Sequence, residues 1–224
     1  MFHSGILSVS AGAVYPQAMA YQPYVYDKHY VCGERTADLI VLMDSMAWTR
    51  PYHFWVPVLA SLIADVTGMT VCIVCRGGAC ILRGDFKDMY DSVVVKGYCK
   101  CILVMSFGND IYRLPLQPDE YYEYFPAQLR LLRRYAPVGL VYGGTSRMWS
   151  YTGSIASDYD ENCSRICKAC EDVCIYVSKG EITAHIAIAD RIGHVRSRSL
   201  RILLDYFITW IEEFVSHFKR RSRL

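Results

Sequence analysis

The chain has 224 residues, 53% of them hydrophobic and 21% charged, with a formal net charge of +2. That balance is enough to bury a full core and excludes an electrostatic nucleic-acid binder, because the one basic run, "FKRRSRL" at the carboxyl end, reads as a solvated helix terminus. No apolar run approaches the ~18 residues that a membrane span requires, so no span is expected.

Residues 1–37 read as an irregular arm. Its start, "MFHSGILSVSAGAVYPQAMAY", holds a short apolar segment and an A-x-A-like "AMA", but no Lys or Arg precedes them, which makes a poor secretory signal or at most a weak targeting segment. The Tyr-rich stretch "YQPYVYDKHY" (21–30) is expected to pack on the surface or to contact a protein partner.

From residue 38 to 224 apolar runs alternate with amphipathic segments, the rhythm of a parallel sheet covered on both faces, and no linker divides the chain. The strands are predicted at "LIVLM" (39–43), "TVCIVC" (70–75), "CILVM" (101–105), "VGLVYG" (138–143) and "VCIYV" (173–177). Helices are predicted over 53–66 and 119–136, with Pro57 and Pro126 in first turns or at kinks. A last helix from Leu200 to Phe218 carries apolar residues at intervals of 3 and 4. The expectation is a single three-layer α/β domain of about five parallel strands.

Ten cysteines lie mostly inside apolar runs, where thiols act as small hydrophobes, so the reading is a reducing, intracellular and cytoplasmic setting. Cys163, Cys167, Cys170 and Cys174 are spaced as one stripe on a helix packed against the sheet, rather than as a tetrahedral metal cage. The terminal Ser222-Arg223-Leu224 resembles a peroxisomal address.

In such a sheet ligands sit beyond the carboxyl ends of the strands. The first strand runs into Asp44-Ser45, the second into Arg76-Gly77-Gly78, the third into Gly108-Asn109-Asp110, and Asp190 and His194 precede the last helix. A serine hydroxyl becomes a competent nucleophile when a base takes its proton and an acid orients that base; Ser45, His194 and Asp190 supply the three roles. The oxyanion formed by attack on an ester needs fixed donors, which the Asn109 amide, a backbone N–H at Gly78 or Gly77, and the Ser45 amide can provide. His53, Gly77, Arg147 and Trp149 are candidate pocket residues, and His185 is the reserve base. Asp44 is read as tying the turn after the first strand, and Asp110 as a loop-anchoring carboxylate.

The order D-S, then Gly, then G-N-D, then Asp and His before a carboxyl-terminal helix resembles the SGNH (GDSL-type) hydrolase family over roughly residues 38–215. Its most specific piece is "SFGNDIY", which corresponds to the family's G-x-N-D block with the glycine directly before Asn109. The resemblance implies a flavodoxin-like sheet and hydrolysis of acyl esters of small molecules, lipids or carbohydrates, with no metal or cofactor. It places the nucleophile at Ser45, the oxyanion donors at Ser45, Gly78 and Asn109, and the acid and base at Asp190 and His194. Two departures accompany it: Met43 stands where the first block has glycine, and three residues rather than two separate Asp190 from His194. They define the alternative, a catalytically degenerate SGNH-like domain acting as a binding or assembly module.

Overall fold

A computed structural model describes residues 23–44, 55–110, 118–145, 156–182 and 200–223. Ser45, His53, Arg147, Trp149, His185, Asp190 and His194 lie outside the described residues, as does the arm before residue 23.

In chain order the elements are β1 (Pro23–Tyr26), β2 (His29–Gly33), β3 (Leu39–Met43), α1 (Trp55–Thr67), β4 (Val71–Cys75), α2 (Asp85–Val93), β5 (Cys101–Ser106), α3 (Pro118–Arg133), β6 (Val138–Thr145), α4 (Ala156–Cys170), β7 (Tyr176–Ile182) and α5 (Leu200–Arg221). The strands form one sheet in the order β1-β2-β4-β3-β5-β6-β7. β3 pairs in parallel with both β4 and β5, and β6 in parallel with both β5 and β7, so the five predicted strands make a parallel sheet of flavodoxin-like order.

Alternation along each strand divides the core into two layers. Ile40, Leu42, Cys72, Val74, Ile102, Val104, Leu140 and Tyr142 face α2, α3 and α4, whereas Leu39, Val41, Met43, Val71, Ile73, Leu103 and Met105 face α1 and α5. Every residue of β3, β4 and β5 is buried, which is why these strands read as unbroken apolar runs. On α5 the predicted stripe is the buried one, with Leu203, Phe207, Ile211, Phe214 and Val215 in the α1-side layer.

The structure corrects the sequence reading in four places. Pro23–Gly33, expected within the irregular arm, forms an antiparallel hairpin whose second strand pairs with β4. A two-residue connection joins Tyr26 to His29, and Asp27 takes the positive φ of 54° that so short a turn demands and that Asp tolerates. β7 begins at Tyr176 rather than at residue 173, because α4 closes with a turn in which the Val173 and Cys174 amides donate to the Cys170 carbonyl. Arg133 Nη1 donates to the carbonyls of Asp172 and Val173 and holds that turn. Cys163, Cys167 and Cys170 therefore share the buried face of α4, while Cys174 lies beyond its end. Finally, α2 was not anticipated; its acidic composition hides a buried set at Phe86, Met89, Tyr90 and Val93 with helical spacing.

Candidate active site

The chain leaves β3 for α1 on one face of the sheet and leaves β5 for α3 on the other, so a crevice opens between the carboxyl ends of these neighbouring strands. Asp44 stands at the end of β3 and Phe107-Gly108-Asn109-Asp110 at the end of β5. Met43, which stands where the first block has glycine, is the last residue of β3. Its side chain is fully buried in the layer shared with α1 and α5, it stays in register with Cys75 and Met105, and its carbonyl accepts the Arg76 amide at 3.1 Å.

Asp44 is completely buried. Its Oδ2 accepts the Phe107 backbone N–H at 2.6 Å and Asn109 Nδ2 at 3.3 Å. A carboxylate offers only acceptors, so this contact turns the amide nitrogen of Asn109, rather than its oxygen, toward Asp44. Nδ2 carries two hydrogens; engaging one fixes the amide plane and leaves the second as a donor for a ligand. Gly108, between the two bonded residues, adopts φ 84°, a left-handed conformation that costs glycine nothing.

The loop after β4 lies beside this turn and is held by a clasp that the sequence did not reveal. Arg83 Nη2 donates to the Gly78 carbonyl at 2.7 Å, and its guanidinium pairs with Asp85, whose Oδ2 also accepts the Cys80 N–H at 2.8 Å. Arg76 Nη1 reaches Asp85 Oδ1 at 3.1 Å and Asp88 Oδ2 at 3.0 Å. Of the two candidate glycines, Gly78 is buried with φ 68° and Gly77 is exposed with ordinary φ, so residue 78 is the one whose backbone requires glycine. The only cue in the sequence was an Arg two residues before an Asp, shortly after a glycine pair.

Asp110 joins the two loops. It is fully buried, and its Oδ1 accepts the Leu82 N–H at 2.8 Å. Burial pushes its carboxyl up to about 6, against backbone hydrogen bonds from Leu82 and Ile81 and the charge of Arg83, which pull the other way. The structure thus brings Asp44, Gly78, Asn109 and Asp110 to one rim. Among the described residues no group of three or more His, Cys, Asp or Glu is arranged to hold a metal ion.

No family model and no curated protein sequence matches the chain. Solved structures do. The chain is similar to an acetylxylan esterase from Geobacillus stearothermophilus, with a TM-score of 0.54 and 17% identity over 77% of this chain and 93% of that one. It is also similar to a member of the lipolytic protein G-D-S-L family from Veillonella parvula, with a TM-score of 0.56 and 16% identity over 76% and 96% of the two chains. A lipase/acylhydrolase from Enterococcus faecalis gives a TM-score of 0.51 and 13% identity over 78% and 95%. The chain therefore has the α/β fold of SGNH-type hydrolase structures, and these neighbours are esterases and lipolytic enzymes.

Proposed function

We propose that the protein is a serine ester hydrolase acting on acyl esters of small molecules, lipids or carbohydrates through an acyl-enzyme. Ser45 Oγ attacks the ester carbonyl as His194 takes its proton, and Asp190 orients the imidazole. The oxyanion is received by the N–H groups of Ser45 and Gly78 and by Asn109 Nδ2. Collapse expels the alcohol, which takes the proton back from His194. Water, activated by the same base, then releases the acid and restores Ser45.

The observation that carries this reading is the buried Asp44 carboxylate at the switch point, one residue before Ser45 in the chain, which orients the Asn109 amide. A side-chain amide fixed by a buried carboxylate is a preoriented donor, which is what a developing oxyanion requires. The fold shared with esterases supports the same reading. The test is covalent labelling by a fluorophosphonate together with burst release from p-nitrophenyl acetate. Wild type is expected to show both and Ser45→Ala neither, with unchanged folding. A wild-type chain that neither labels nor turns over would instead mark a binding or assembly domain.

A further inference from the structure

We propose that Asp110 is a positioning residue: its buried carboxylate ties the loop that carries Gly78 to the turn that carries Asn109 and so sets the separation of the two oxyanion donors. The inference rests on the esterase reading above and adds to it a residue that touches no substrate.

The connection can be followed bond by bond. Asp110 is covalently next to Asn109, and its Oδ1 accepts the Leu82 N–H at 2.8 Å. Leu82 is followed by Arg83, whose Nη2 returns to the Gly78 carbonyl at 2.7 Å. On the other side, Asn109 is bonded to Asp44. Gly78 and Asn109 are thus joined by one chain of covalent and hydrogen bonds in which the Asp110 carboxylate is the link between the two loops.

Stability alone does not account for this choice of residue. Asp110 is fully buried, and its Oδ2 has no hydrogen-bond partner among the described residues. The charged side chain acting on it is Arg83 from the β4–α2 loop, which is itself occupied with Asp85; Asp44, on the far side of Asn109, is another acid. A neutral Asn would accept the Leu82 N–H without carrying a charge into this site. With its carboxyl raised to about 6, Asp110 is ionised at neutral pH at a cost to the fold. What the charge provides is a firmer bond, since N–H donors to carboxylates hold roughly twice as strongly as those to neutral acceptors. Breaking a local rule at a functional rim is where proteins accept such a cost.

Asp110→Asn separates the two roles, because a simple anchor and a positioning residue predict opposite combinations of stability and rate. The variant is expected to melt no lower than wild type at pH 7.5. Its kcat/KM for p-nitrophenyl acetate should fall about 10- to 100-fold, carried by kcat with KM nearly unchanged, because misplaced donors affect the transition state and not the bound ester. The pH profile supplies a signature that a merely structural role would not move. As the pH falls through about 6, protonation of Asp110 should add to the loss of activity in wild type and not in the variant, so the acid limb of the wild-type profile should be the steeper of the two. Wild-type kcat/KM in the variant, or a loss of rate matched by a lowered melting temperature, would overturn the proposal. Failure of wild type itself to turn over or to take a fluorophosphonate would overturn the esterase reading, and this inference with it.

Discussion

The Asp44 carboxylate offers the sharpest test of how the rim is built. Replacing it with Asn keeps the volume and one acceptor oxygen but removes the charge that receives two donors. Hydrogen bonds to a charged partner contribute about 1.5–3 kcal/mol each, and leaving a buried donor unmet costs about 1–3 kcal/mol. The Phe107 bond is short and completely buried, at 2.6 Å, so it should carry most of the effect, while the Asn109 bond, at 3.3 Å, lies at the weak end. Asp44→Asn should therefore lose about 1–2 kcal/mol of folding stability in urea titrations, a minor part of the ~5–15 kcal/mol of a typical domain. Its effect on catalysis should be larger than on the fold, because a freed Asn109 amide samples orientations that point neither hydrogen at the oxyanion. We expect kcat on p-nitrophenyl acetate to drop about 10-fold, against roughly 10²- to 10³-fold for Asn109→Ala. The decisive measurement is the double mutant. If Asp44 acts through Asn109, then adding Asp44→Asn to Asn109→Ala should cost less than about 3-fold more. An undiminished 10-fold loss in that background would show that the carboxylate works by a route other than orienting Asn109.

Two further outcomes follow from the same structure. Gly78→Ala places a Cβ on a residue at φ 68° and should destabilise the fold by about 1–2 kcal/mol while lowering kcat more than KM, as read by thermal melts and steady-state kinetics; equal stability and rate would remove Gly78 from the site. Burial pushes the thiols of Cys32, Cys72, Cys167 and Cys174 up to about 12, so at pH 8 a thiol-specific chromophore should label the half-buried Cys99 first and the others only in denaturant; rapid native labelling of several thiols would contradict the packing of α4 against the sheet.

What could be read from the sequence divides along physical lines. The parallel strands were legible because burial on both faces leaves no polar residue to interrupt "LIVLM" or "CILVM", and α5 because nine apolar residues repeat at helical spacing over five turns. The hairpin was not, since Tyr24 and Val25 are exposed on an edge strand and a Tyr-rich segment carries the same pattern in a loop. α2 was not legible because Asp85, Asp88 and Asp91 are interleaved with its four buried apolar residues within nine positions. At the rim, sequence order pointed to Asp44, Gly78 and Asn109, because residues after strands are the ones a parallel sheet presents to ligands. The bonds among them were out of reach. Nothing in the spacing of Asp110 and Leu82, 28 residues apart, announces that one accepts the amide of the other.

The choice of this rim as the candidate site also has support in the burial pattern of the polar side chains. Among the described residues the buried polar side chains are His29, Asp44, Ser61, Thr67, Asp85, Ser106 and Asp110. Four of them, Asp44, Asp85, Ser106 and Asp110, belong to the carboxyl ends of β3 and β5 and to the start of α2. Left-handed glycines at 78 and 108 lie in the adjoining loops. Core packing explains none of this, because up to those ends β3, β4 and β5 are filled with aliphatic and sulfur-containing side chains alone. Three buried carboxylates lose hydration here, and backbone N–H groups and two arginines are turned toward them. This concentration of buried charge is maintained at the topological switch point of the sheet, where ligands bind in folds of this kind. Under the proposed function, the donor this arrangement leaves for an oxyanion is the second hydrogen of Asn109 Nδ2, whose amide the buried Asp44 carboxylate orients.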